Sequence, residues 1–598
     1  MSSFFTLPSA KKRKRTDDSK PAPKKRIAST TTKSAKPPPR KPQRDESISG
    51  SDDESDGGNP RDEAMDLDLE NASSSSEGEE NGSDEEETAA ERRLRLAERY
   101  LSNIRGEVEA STTNADPSFF DAEEIDRDLI AERLIEDVAE SKGRMYRNLA
   151  GELDFGSANH SWFRWNSETV TSVATCAPWA YTVTRDLGLC KWRIQDLPSQ
   201  QWLPKKGKRK SKKPPPPPKR KPEQVAFVRG DKRESKNNGY QGHVDTILTV
   251  AASQDGKFVV TGGKDRRIVV WDAATLKCLR VFSQHRDSVC GLAFRRGTNQ
   301  LYSASKDRTI KIWSLDELAY VETLFGHQDE VVDVSALAQE RCISVGARDR
   351  TARLWKVVEE TQLVFRGGGA EKKRKSSAAT SRPSVQEGSI DRVAMIDEEM
   401  FVTGSDNGSL SLWVVHKKKP LFVLPLCHGV DPALKAEDVS AEKTPDEKVI
   451  PQPTPRWITA LATIPYSDVI LTGSWDGQVR AWRVSEDKKR IEAVGTLGAE
   501  GIVPVKELTN GDSHLGEDLD KVPSTAPVRG VINDISLFER GDRGKDGVCV
   551  VVAVGKEHRM GRWMSAEGGK NGGVVFEIPR VEEKTNGVAV DESEDVEA

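Results

Sequence analysis

His243, His285 and His327 are each followed, at one fixed interval, by an aspartate, namely Asp265, Asp307 and Asp349. An imidazole beside a carboxylate is the pairing that general-base and nucleophilic catalysis employs. One such pair would invite a catalytic reading. Here the pairs themselves are evenly spaced, and each aspartate is followed at the sixth position by a tryptophan, Trp271, Trp313 or Trp355. Three interleaved series on one period point to structure. The sequence has no GxSxG elbow, no P-loop and no HExxH helix, so no catalytic residue is assigned. The isolated His416, His428 and His514 sit in loop-like sequence with nothing favouring a metal. Seven cysteines are scattered without CxxC pairs, so neither a zinc site, a cofactor nor a disulfide framework is expected.

A period of roughly 40 residues is the length of a four-stranded propeller blade, which cannot bury its own faces and must stack on its neighbours. The same spacing from a turn acid or amide to a tryptophan occurs at seven places: Asp186 to Trp192, Asp265 to Trp271, Asp307 to Trp313, Asp349 to Trp355, Asn407 to Trp413, Asp476 to Trp482 and Glu557 to Trp563. Strand-like runs such as KFVVTGG and DVILTGS precede the acid, and shorter ones such as RIVVW and QVRAW follow it. The fold class is therefore all-β, a seven-bladed propeller. Ring closure is left open between VVFEI at 574–578 as a self-sufficient outer strand and a strand borrowed from about 149–155.

From about Asn159 to Pro579 these residues resemble the WD40 family. The resemblance implies a buried relay of histidine, strand Ser or Thr, turn aspartate and tryptophan that pins a blade. It is complete in His243, Thr261, Asp265 and Trp271, and in His285, Ser303, Asp307 and Trp313. The fourth copy has His327, Asp349 and Trp355 but Val345 at the hydroxyl position. Blades one, five, six and seven lack the histidine and are expected to be held more by packing.

Charge segregates strongly outside the repeats. Fourteen Lys or Arg lie between Lys11 and Arg44, and nineteen acids between Asp45 and Glu91. Self-repelling blocks without apolar anchors read as a disordered tail over 1–87, with a second acidic tail at 580–598. Lys11, Lys12, Arg13, Lys14, Arg15 and Lys24, Lys25, Arg26 form a two-part basic cluster that reads as a nuclear localisation signal. Ser51, Ser55, Ser76 and Ser83 precede acids and resemble acid-directed kinase sites. Residues 88–150 read as a short helical segment before the first blade, with Leu94, Ala97, Leu101 and Ile104 on one face and Ile130, Leu134 and Val138 on another. Insertions are expected at about 196–224, 367–389, 431–455 and 498–527, the first carrying ten basic residues around five prolines. Polyproline cannot join a sheet, so that arm must leave the blade. No signal peptide and no run of eighteen apolar residues is present, so no membrane association is expected.

Under the WD40 resemblance, the residue before each turn acid lies on the top face beside the channel. In blade order from seven to six these are Lys556, Arg185, Lys264, Lys306, Arg348, Asp406 and Trp475, with Arg266, Arg308 and Arg350 thickening the charge. Five consecutive cations suit phosphate or an acidic peptide. Asp245, Asp287 and Asp329 lie on the same face and oppose that charge. Trp475, if exposed, would stack a base.

The basic-then-acidic tail, ERRLRLAERYL, IAERLIEDV, GHVDTILTVAASQDGKFVVTGGKDRRIVVWD, SASKDRTIKIW and VGARDRTARLW resemble the WD-repeat subunit of the U3 small nucleolar ribonucleoprotein, a family of ribosomal RNA processing factors. That resemblance implies a non-catalytic nucleolar subunit recognising the box B/C region of U3 small nucleolar RNA. Its partners would be the kink-turn-binding box C/D core protein and other small-subunit processome proteins, with no small-molecule substrate. The role implied is processome assembly and pre-18S rRNA processing. The alternatives are nuclear scaffolds. A ubiquitin-ligase substrate receptor usually carries W-D-x-R, whereas Ala273 and Ala274 follow Trp271 and Asp272 here. A chromatin reader would want an acidic or aromatic top face.

Overall fold

A computed structural model describes residues 144–581 except 165–167, 199, 202–216, 238, 368–387, 433–452, 499–526, 542–543 and 567, together with Arg133, Leu134 and Val138. The N-terminal charged blocks with the basic clusters at 11–15 and 24–26, nearly all of the 88–143 segment, most of the four insertions and residues 582–598 lie outside the described residues.

Seven four-stranded antiparallel sheets form the molecule. Their innermost strands contact one another in cyclic order, so the sheets are blades around a channel. The first six occupy 170–229, 247–282, 289–325, 331–366, 390–424 and 460–496. Blade seven contains β26 (Val531–Glu539), β27 (Val548–Gly555) and β28 (Gly572–Ile578), and its outer strand is β1 (Asn159–Phe163). Because each blade is covered on both faces, central strands read as unbroken apolar runs; VCVVVAVG in β27 is buried throughout. The apolar clusters lie between adjacent blades, as where Tyr181, Val183 and Leu189 of blade one meet Ile247, Val259 and Trp271 of blade two.

Closure differs from both sequence expectations. The run 574–578 is the third strand of blade seven, and the borrowed outer strand is 159–163, pairing antiparallel with β28 from Asn159 opposite Glu577 to Phe163 opposite Gly573. Residues 149–155 are not that strand. Residues 144–158, expected to be helical as far as 150, instead run as an irregular strap against blades six and seven. Arg147 donates its backbone N–H to Tyr466 (2.9 Å) and pairs with Glu539 (2.6 Å). The N–H groups of Leu149 and Ala150 both donate to Asp468 Oδ1, at 2.7 and 3.0 Å. Leu149, Leu153 and Phe155 are buried with Val479 and Ile578. These apolar residues cover a blade edge.

The antiparallel order fixes which loops share a face. The turns between second and third strands lie at the same end as the connections between blades. Consequently the described ends of the connections from blade four to five, five to six and six to seven lie on the face of the turn cations. The basic arm of blade one joins its third and fourth strands and leaves from the opposite face. Its neck is closed by the Gln201 amide, which donates to Lys219 O (2.6 Å) and accepts from Lys219 N (2.9 Å).

Candidate nucleic-acid-binding face

The relay holds the turns rigidly. In blade two, His243 Nδ1 meets Asp265 (3.0 Å), its Nε2 meets the Thr261 hydroxyl (2.7 Å), and the Trp271 indole N–H donates to the same hydroxyl (2.8 Å). The Asp265 carboxylate also accepts the N–H groups of Val244 (2.9 Å) and Arg267 (3.1 Å). In blade three His285, Asp307, Ser303 and Trp313 repeat this at 2.8 to 2.9 Å. Within these two relays the imidazole, hydroxyl, carboxylate and indole are all partnered, and the carboxylate fixes the turn that follows.

Two expectations about the relay are corrected. In blade four the hydroxyl is Ser344: it lies 2.8 Å from His327 Nε2 and accepts the Trp355 N–H at 2.8 Å, while His327 Nδ1 meets Asp349 at 2.8 Å. The turn of this blade holds one residue more and the segment before it one fewer, so counting from His327 lands on Val345. Blade six does have a histidine. His428 Nδ1 meets Asp476 (2.9 Å), its Nε2 meets Thr472 (2.9 Å), and Trp482 donates to Thr472 (2.8 Å). The 431–455 insertion stretches this histidine–aspartate interval to 48 residues. A signal existed: His428 closes the outer-strand run FVLPLCH as His327 closes ETLFGH. Burial pulls His285, His327 and His428 below the ordinary imidazole range, partly offset by their aspartates. Blades one and five keep only the tryptophan–threonine bond, Trp192 to Thr182 (2.8 Å) and Trp413 to Thr403 (2.9 Å).

Blade seven departs furthest. Trp563 is not a strand tryptophan; it lies in the 556–571 turn and is 52% exposed. By register and by the blade they face, Val552 and Phe576 stand where Thr261 and Trp271 stand in blade two. Glu557 is not a relay acid either, since Arg185 and Arg562 both clamp it. This turn instead folds over the channel mouth. Asn533 donates to Val170 O (2.8 Å) and Glu557 O (3.1 Å), and accepts Arg559 N (2.8 Å); the buried Arg559 guanidinium reaches Cys290 O (3.1 Å). His558 is buried, and burial with Arg559, Arg392 and Arg185 nearby pushes its pKa down to about 3, so its imidazole is neutral.

The expected cation arc is unequal. Lys264, Arg348 and Lys556 are exposed. Lys306 is half-buried and paired with Glu330 at 2.8 Å. Arg185 has only 11% of its side chain exposed and is committed to Glu557 and, at 3.2 Å, to His558 O. It acts as a brace between blades. Arg266, Arg308 and Arg350 are exposed and adopt φ of 65°, 67° and 50°. Blades five and six place Gly408 and Gly477 at this left-handed position. An arginine there costs on the order of 1 kcal/mol that glycine avoids, so three retained arginines mark a charged face. The opposing acids are occupied by backbone: Asp245 accepts Thr246 N (2.7 Å), Asp287 accepts Ser288 N (2.6 Å), and Asp329 accepts Arg348 N (3.2 Å). Trp475 is half-buried, with its N–H on Asp431 (2.9 Å). Among the described residues no cluster of His, Cys, Asp or Glu could hold a metal.

The model of the WD domain, G-beta repeat, matches residues 234–272, 276–314, 319–356 and 448–483. Ribosomal RNA-processing protein 9 of Saccharomyces cerevisiae is 34% identical, covering 87% of this chain and 96% of the yeast protein. U3 small nucleolar RNA-interacting protein 2 of Homo sapiens is 35% identical over 83% of each chain. The chain belongs to the family of WD-repeat proteins of the U3 small nucleolar ribonucleoprotein. A solved structure of the WD40 repeats of RRP9 superposes with a TM-score of 0.51 at 29% identity, covering 71% of this chain and all of that one. The family's propeller is thus the part of the molecule described above.

Proposed function

We propose that the protein is a non-catalytic, nucleolar subunit of the U3 particle that recognises the box B/C region of U3 small nucleolar RNA. It does so together with the kink-turn-binding protein seated there, and serves processome assembly and pre-18S rRNA processing. The names of its relatives support the particle and the RNA. The observation that carries the reading is the set of exposed cations at one end of the ring, Lys264, Arg266, Arg308, Arg348, Arg350 and Lys556. In blades two to four the relay carboxylates hold the turns in place. Phosphate contacts position an RNA, and the composite RNA–protein surface supplies specificity. The expected arc of Lys556, Arg185, Lys264, Lys306 and Arg348 narrows accordingly, with Arg185 and Lys306 withdrawn into ion pairs. Ultraviolet crosslinking of the tagged protein in cells tests the reading. Reads concentrated on the box B/C region of U3 RNA are expected, and an absence of RNA above background overturns it.

A further inference from the structure

At the upper mouth of the channel lies a cavity of about 660 Å³, within the roughly 300–1,000 Å³ of small-ligand sites. Trp457 and Trp563 form its aromatic wall, their ring centroids 4.5 Å apart, and His558 supports Trp563 at 5.1 Å. Arg348 and Arg350 stand on the same rim. Trp563 has no role in a blade, yet neighbouring rings hold it with half its surface open. That is a preformed stacking platform.

The charges around it choose the occupant. A methylated cation would want aromatic walls with uncommitted acids. Here Glu330 is bound to Lys306 (2.8 Å), Asp406 accepts Gly388 N (2.9 Å), and Asp391 accepts the Ser389 hydroxyl (3.0 Å). The most exposed charges at the rim are the guanidiniums of Arg348 and Arg350, with Glu330 tied to Lys306. A flat π-face beside an arginine fits a base with its phosphate.

We propose that this cavity takes one unpaired nucleotide of an RNA strand, its base stacked on Trp563 and its phosphate on Arg348 with Arg350 beside it. The proposal deepens the RNA-binding reading above and rests on it. The test uses full-length protein and labelled single-stranded RNA pentamers of A, C or U, followed by anisotropy at salt high enough to suppress binding by the basic segments. Trp563→Ala is expected to weaken the tightest pentamer by about 5- to 150-fold, the range that one stacked base spans. Trp563→Phe should restore most of the binding. Arg348→Gln provides a second variant, away from the aromatic wall, with an expected loss of several-fold. Equal binding by Trp563→Ala and wild type overturns the proposal. So does the absence of pentamer binding, including the case in which a trimethyl-lysine peptide binds in a Trp563-dependent manner instead. Crosslinking in cells separates the two claims: U3 RNA on wild type with pentamer binding indifferent to Trp563 sinks the pocket alone, whereas Trp563-dependent pentamer binding without U3 RNA sinks the particle reading.

Discussion

Replacing His428 by Ala leaves the Asp476 carboxylate and the Thr472 hydroxyl buried without their imidazole. The expected cost is about 1–3 kcal/mol, seen as a lower melting temperature. His416→Ala, at a side chain 73% exposed, should change stability by less than about 0.5 kcal/mol. Both histidines look alike in the sequence, because spacing runs along the chain while the relay is closed through space. Where no insertion intervenes, as between His243 and Asp265, spacing suffices; where one does, only the preceding strand carries the signal. The same relays give a pH dependence. His285, His327 and His428 sit below the ordinary imidazole range because burial disfavours their charge. Unfolded imidazoles titrate near about 6.5, so below that pH the unfolded chain binds protons that the folded one refuses. Stability is therefore complete above about pH 6.5 and is lost as pH falls toward the folded values. Asp307, Asp349 and Asp476 are raised by burial but lowered further by their histidines and hydrogen bonds, ending below the carboxylate range, which adds a second loss at more acidic pH. A melting temperature that stays flat from pH 8 to 5 would refute this account.

Closure of the ring joins the two ends of the propeller sequence, since Phe163, ahead of blade one, pairs with Gly573 in the third strand of blade seven. No local pattern announces so distant a partner, which is why β1 was not legible and why VVFEI has the look of an outer strand. The contact itself is specific. Phe163 packs on Trp192 with centroids 4.7 Å apart, and a Cβ at Gly573 would clash with its ring. Gly573→Ala must therefore expel Phe163 from the blade. The expected loss is about 3 kcal/mol or more, the cost of emptying a phenylalanine site, accompanied by faster limited proteolysis N-terminal to blade one. Unchanged proteolysis would place the closing energy elsewhere, most directly in the Asp468 strap.

At the scale of the whole molecule, six blades were legible because stacking imposes one period on buried residues, whereas the seventh was legible only by accident. Glu557 and Trp563 match the spacing, yet they cover the channel mouth, and Trp563 lines its cavity. Packing also sorted the turn cations, and that sorting makes a prediction. Lys264, Arg308 and Lys556 are exposed on one face, while Lys306 is spent on Glu330. Each phosphate neutralised by a cation releases condensed counterions, so the slope of log K against log salt measures how many phosphates are engaged. Replacing Lys264, Arg308 and Lys556 together by Gln should flatten the slope for U3 RNA by up to about three units, roughly one for each cation removed, across all sequences tested. Lys306→Gln should leave the slope within about half a unit, because its charge is already paired within the protein. If Lys306→Gln flattened the slope as much as Lys264→Gln, the RNA would have to break the Lys306–Glu330 pair on binding. If neither changed it, the RNA would lie on the opposite face, where the basic arm of blade one leaves the ring.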